Sequence, residues 1–136
     1  MAVEIALAAL VSDGKLLLGH RHPARRWYPD CWDLVGGHIE VGESPEQAVR
    51  RECREEIDVD VTQLQPVDVT LSDPTLVAYA FRVIGWVGRP INAAPDEHDA
   101  LAWFTAREFA GLRLADPGYY NWLPTLIDAD PVRALG

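Results

Sequence analysis

Between Gly37 and Val59 the chain reads GHIEVGESPEQAVRRECREEIDV, a stretch whose local signals all point to one capped helix with clustered acid. Ser44 is a good N-cap, Pro45 suits the first helical position, and Gln47 completes an S-x-x-Q capping box. Glu46 adds negative charge to the first turn, where the helix dipole favours it. Val49, Cys53 and Ile57 recur at i, i+4, i+8 and form an apolar edge that must be buried. Beside that edge, Glu52, Glu55 and Glu56 stand at i, i+3, i+4, so at roughly 100° per residue they share one face. Like charges at this spacing repel, by roughly a few tenths of a kcal/mol per exposed pair. A cation seated on the face would account for it, and a hard divalent metal prefers carboxylate and carbonyl oxygens. The alternative is a solvated face paired with Arg50, Arg51 and Arg54.

The approach to this helix is WDLVGGHIEVGE, with Gly36, Gly37 and Gly42 close together. Glycine permits close backbone approach, so Gly37 can aim its carbonyl at the same cation. Glu43 precedes Arg51 by eight residues and is placed to anchor that arginine at the helix entrance. The ordered pattern G-x5-E-x7-R-E-U-x-E-E-x-G-U, where U is apolar, runs here through Gly37, Glu43, Arg51, Glu52, Cys53, Glu55, Glu56, Asp58 and Val59. In this the chain resembles the Nudix hydrolases, and its early box and wording GESPEQAVRRE resemble the MutT-like branch. Two positions depart from the pattern. Cys53 replaces an aliphatic residue, a mild change because a buried thiol behaves as a small hydrophobe. Asp58 replaces the glycine that ends the helix, at a site expected to be left-handed.

A length of 136 residues, almost half of them apolar, suits one domain, taken as 1–136. No N-terminal stretch has signal-peptide layout and no apolar run reaches membrane-spanning length. Cys31 and Cys53 are too few for a disulfide framework, so a reduced cytoplasmic setting is expected. Strands are expected at Val3 to Val11 and Lys15 to Leu18, around the hairpin signal Ser12-Asp13-Gly14. A loop spans 19 to 30, and Trp32 to Val35 leads into the box as a short strand. Val67 to Leu71 and Leu76 to Val87 read as strands about an Asp73-Pro74 turn, and Gly88 to Asp99 as a loop. A strand at Leu101 to Phe104, a short helix at Ala106 to Leu112 and a terminal helix at Tyr119 to Ile127 follow. Strands interspersed with helices give an α/β fold. The resemblance implies a Nudix-type α/β/α sandwich with a mixed central sheet.

A formal net charge of −9 argues against binding a nucleic-acid polymer, but not against a small polyphosphate met through metal. What the resemblance implies is a pyrophosphohydrolase using magnesium, with manganese as the substitute. Gly37, Glu52, Glu55 and Glu56 match its metal-binding positions, and Arg51 and Glu43 orient the carboxylates. The general base is Glu56 or Glu97, the latter in APDEHDALAWF, where a solvated loop charge is the competing reading. In the loop GHRHPARRWYPD, Arg21 is the expected phosphate contact and Trp27 and Tyr28 offer stacking surfaces, while Arg25 and Arg26 read equally well as solvated. Asp116, in LRLADPGYY, lies where MutT-like enzymes read a purine edge, although Asp-Pro-Gly turn chemistry also explains it. The expected substrate is a nucleoside triphosphate, including oxidised purine nucleotides, split to monophosphate and pyrophosphate by a monomer or homodimer. The alternatives are a pyrophosphatase for ADP-ribose or another nucleotide sugar, and a non-catalytic nucleotide sensor on the same fold.

Overall fold

Strand β1 (Val3–Ser12) lies at the centre because it is apolar on both faces. Its alternate residues enter two separate cores, Ala6, Ala8 and Leu10 on one side and Leu7, Ala9 and Val11 on the other. The computed structural model describes residues 2–128. In it β1 turns into β2 (Lys15–Arg21) through Asp13 and Gly14, whose φ values of 52° and 73° fit a type I′ turn. That hairpin joins the two halves of one mixed sheet. In one, β1 pairs antiparallel with β4 (Val35–His38) and parallel with β6 (Leu76–Val87), and β6 pairs with β5 (Asp60–Val67) at the edge. In the other, β2 lies between β3 (Trp32–Asp33) and β7 (His98–Phe104), antiparallel to both.

Helix α1 (Pro45–Ile57) covers one face with Val49, Cys53 and Ile57, all fully buried against Ala6, Ala8 and Leu10. The small side chains on β1 let the helix come close. Helix α2 (Tyr119–Asp128) and a 3-10 helix at Ala106–Gly111 cover the other face, with Leu123, Ile127 and Phe109 against Leu16 and Leu18. The result is an α/β/α sandwich around a mixed sheet, as expected. The capping box of α1 is present in full, with Gln47 N–H donating to Ser44 Oγ at 3.1 Å and Ser44 N–H to Gln47 Oε1 at 2.8 Å. Asp58 takes the left-handed exit (φ 56°, ψ 44°), and its N–H still reaches the Arg54 carbonyl.

Four expected strands differ from the structure by more than one residue. The strand anticipated at Val67 to Leu71 runs instead from Asp60 to Val67, paired with β6. Register shifts at Val61, Gln63 and Leu64 break its two-residue period, which hides it in the sequence. Beyond it, Val69 and Leu71 cross to the α2 side of the core as loop. Trp32 to Val35 is two strands, β3 on β2 and β4 on β1, because the chain passes from one half of the sheet to the other at Leu34. Strand pairing carries β2 on to Arg21 and starts β7 at His98, where the two residues face each other.

Candidate active site

The buried stripe of α1 fixes what its other side chains can reach. With Val49, Cys53 and Ile57 in the core, Glu52 and Glu56 tilt inward over β4 and are only 8% and 4% exposed. Glu55 remains on the open side. The Gly36 N–H donates to Glu56 Oε2 at 2.9 Å. Gly37 runs so close to Glu52 that a Cβ there would lie 2.7 Å from Oε1. Burial pushes both carboxyl groups above the ordinary range, Glu56 well above it, where the Glu52 charge and Glu97 add to the effect. Two buried carboxylates side by side form a site that a cation would relieve, and the backbone cradle at Gly37 leaves room for one.

Arg51 holds the outer rim. Its guanidinium donates from Nε and Nη2 to the two oxygens of Glu43 at 2.8 and 3.0 Å, and from Nη1 to Glu52 Oε1 at 2.8 Å. It also donates to the His38 carbonyl at 3.0 Å and to Glu55 Oε2 at 3.2 Å. This fork pulls the Glu43 carboxyl below its usual pKa and pushes the guanidinium further up. Glu52 is thereby held in one orientation.

The opposite wall comes from the start of β7. Ligand atoms of Glu56, Glu97 and His98 all lie within 4.8 Å of one another. His98 is 5% exposed, its Nε2 is 3.7 Å from Glu56 Oε1, and neither ring nitrogen has a hydrogen-bond partner among the described residues. Burial lowers its pKa, which keeps the ring neutral. Sequence reasoning passed over His98, which reads as a loop histidine until its pairing opposite Arg21 turns the ring inward.

A cleft of about 580 Å³ lies next to this acidic compartment, between the loop after β2, the start of β6 and the turn before α2. Its lining residues Gly36, Gly37, His38 and Arg25 also line a second cavity of about 420 Å³ bounded by Arg51, Glu52 and Glu97. Trp27 and Tyr28 stand at the cleft mouth, Trp27 67% exposed. The Tyr28 hydroxyl donates to Asp73, whose carboxylate pushes the phenol up to about 12. Arg21 lines the cleft but turns its donors to the carbonyls of Trp27 and Tyr28, at 2.7 and 2.8 Å, and stands 3.5 Å from Asp33 Oδ2. It therefore ties down the loop. Asp33 also accepts from the buried Tyr119 hydroxyl at 2.6 Å, and burial raises its pKa. Asp116, 7% exposed, accepts from the N–H groups of Ser72 at 2.8 Å and Gly118 at 2.9 Å, so it builds the turn and lines the cleft together.

Of the residues singled out in the sequence, Gly37, Glu52, Glu56 and Glu97 therefore line the acidic compartment. Arg51, Glu43 and Glu55 form its rim. Arg21, Trp27, Tyr28 and Asp116 belong to the adjoining cleft. Asp33, Asp73 and Tyr119 were missed; a polar Asp33 within an apolar strand, just before two glycines, was the available signal for the first.

Comparison with known proteins gives one family, the NUDIX domain, whose model matches residues 3–126. A CTP pyrophosphohydrolase of Escherichia coli is 32% identical over 109 residues, covering 78% of each chain. A MutT NUDIX hydrolase from Burkholderia pseudomallei superposes with a TM-score of 0.72 at 30% identity, covering 79% of this chain and 85% of that one. A bifunctional NMN adenylyltransferase/ADP ribose pyrophosphatase from Francisella tularensis shares the fold at 18% identity, TM-score 0.71, with 95% of this chain lying on 41% of that one.

Proposed function

This chain belongs to the NUDIX domain family, hydrolases of pyrophosphate bonds, and we propose that its substrate is a nucleoside triphosphate cleaved to monophosphate and pyrophosphate. One observation carries the reading: a nucleotide-sized cleft shares Gly36, Gly37 and His38 with the neighbouring cavity that Glu52 and Glu97 line. The base sits in the cleft against Trp27 and Tyr28, and the phosphates lie over Gly37 and Glu52. Asp33, Asp73 and Asp116 all line the cleft with carboxylate acceptors, so a base carrying an exocyclic amino group (cytosine, guanine or adenine) is favoured over uracil. An oxidised guanine keeps that amino group and adds an N7–H donor. The similarity to a CTP pyrophosphohydrolase supports the cytosine form.

Gly37, Glu52, Glu55 and Glu56 hold the cation, magnesium or in its place manganese. When bound, such an ion neutralises phosphate charge and lowers the pKa of the attacking water. Arg51, fixed by Glu43, keeps Glu52 aimed inward. Glu97, more open than Glu56, takes the proton from the water as its oxygen bonds to phosphorus and the anhydride bond to the leaving pyrophosphate breaks. Glu56 is the drier carboxylate, already engaged by Gly36, and serves as ligand. The family match over residues 3–126 supports reading the chain as one catalytic domain. Buried thiols at Cys31 and Cys53, without a disulfide, suit the cytoplasm.

The test is a rate comparison of CTP, GTP, UTP, 8-oxo-GTP and ADP-ribose with magnesium, resolving the products. Monophosphate and pyrophosphate are expected from an amino-bearing triphosphate, at least ten times faster than from UTP. Preferred cleavage of ADP-ribose would replace this substrate with a nucleotide sugar. Binding without turnover of any compound would make the protein a sensor.

A further inference from the structure

The imidazole of His98 is the unusual group at the acidic site. It is 5% exposed, yet neither Nδ1 nor Nε2 has a partner among the described residues. Buried polar atoms are almost always satisfied, so such a ring asks for a ligand. Its position is also fixed from several sides. Gly19 on β2 packs against the ring, since a Cβ there would meet its Cδ2 and Cγ at 3.4 Å, van der Waals contact. Behind it, Asn92 Nδ2 donates to the His98 carbonyl at 2.7 Å and pins the start of β7.

We propose that His98 supplies a nitrogen ligand through Nε2, so that Glu56, Glu97 and His98 form a mixed nitrogen–oxygen site that prefers a divalent transition ion to magnesium. The inference rests on reading the acidic compartment as a metal site and adds which ion that side of it selects. The separation of 3.7 Å between Nε2 and Glu56 Oε1 is too long for a hydrogen bond. It falls inside the ~4.2 Å that two donors, each about 2.1 Å from one ion, can span. The Glu97 carboxylate, within 4.8 Å of both and partly exposed, has freedom to swing the remaining distance. Magnesium takes oxygen donors and parts reluctantly with water, whereas imidazole favours the later first-row ions. The Gly37 carbonyl and Glu52 offer oxygen alone, so the two sides of the compartment differ in preference. Without the histidine, both sides would favour the same hard cation.

The test uses the full chain, stripped of metal and given metal alone, with no nucleotide. With Mn2+ bound, electron spin-echo spectroscopy is expected to show a 14N coupling from imidazole. It should vanish in His98→Gln and persist in His38→Gln, which removes the exposed histidine nearby. By calorimetry, His98→Gln is expected to weaken Co2+ binding at least ten-fold and Mg2+ binding less than three-fold. Absence of the 14N coupling from the wild type, or equal losses for Co2+ and Mg2+, would overturn the proposal. If His98→Gln does not fold, the wild-type coupling and the His38→Gln control decide the matter. Because no substrate is present, a coupling without nucleotide turnover upholds the ligand and rejects the hydrolase reading, and turnover without a coupling does the reverse.

Discussion

At a pH high enough to ionise Glu56, replacing it by glutamine should make the metal-free protein more stable and the metal-loaded protein less so. In the wild type the Glu56 carboxylate is 4% exposed and shares a space of 4.8 Å with Glu97, with the Glu52 charge also nearby. Two unit charges at that separation repel by about 3.5 kcal/mol at an effective dielectric of about 20. Solvent around Glu97 and the guanidinium beside Glu52 screen most of this, leaving about 1 kcal/mol for each neighbour. Glutamine keeps an oxygen for the Gly36 N–H, now 2.9 Å from Oε2, and loses only the charge assistance. The net gain is about 1 to 2 kcal/mol. At roughly 2.1 cal/mol/K per residue over 136 residues, that raises Tm by about 5 °C. Metal reverses the order. An ion at one hundred times its dissociation constant stabilises the wild type by about 2.7 kcal/mol, or roughly 10 °C, and the variant by almost nothing. Thermal unfolding by circular dichroism, in chelator and then in excess MgCl2, reads both effects. A variant less stable than wild type in chelator, or one that gains as much from magnesium, would refute the electrostatic account.

Gly37→Ala should leave the fold intact but lower kcat by about a hundred-fold, because its Cβ would lie 2.7 Å from Glu52 Oε1 and displace a flexible ligand side chain; an unchanged kcat would detach Glu52 from the chemistry. Glu97→Gln should cut kcat by roughly 10²- to 10⁴-fold with metal affinity lowered as well, and an unchanged kcat would remove it from the chemistry. Tyr28→Phe removes the bond to Asp73 at the cleft mouth and should raise KM several-fold with little change in kcat. Asp33 provides the pH test. Its folded pKa is raised by burial above the reference 3.8, so its contribution to stability is fully present below that value and lost as pH rises through the folded pKa. Urea midpoints measured from pH 3.5 to 7 should therefore show Asp33→Asn gaining on the wild type as pH rises; parallel curves would contradict the burial assignment.

The sequence revealed what is encoded locally and little of what depends on distant pairing. Helix α1 was legible because its cap, period and acidic face lie within fifteen residues of chain, and Asp58 takes the left-handed exit that its position predicted. The cleft was not legible in the same way. Asp33 meets Tyr119 across 86 residues, and Tyr28 meets Asp73 across 45. His98 faces the site only because β7 pairs with β2 there, at a register shift between His20 and Arg21. Arg21, just after a strand, was the expected phosphate contact, and in the structure its Nε and Nη2 donate to two carbonyls of its own loop. The edge strand β5 escaped notice because its bulges erase the alternation by which strands are read.

A crystal structure of Glu97→Gln with CTP and magnesium tests the central claim most directly. The account predicts the cytosine in the cleft beside Trp27 and Tyr28, its amino group on the Asp33 or Asp116 carboxylate, and the triphosphate passing Gly37 to reach Glu52 and Glu56. A nucleotide bound with its base outside that cleft, or with its phosphates away from α1, would contradict it.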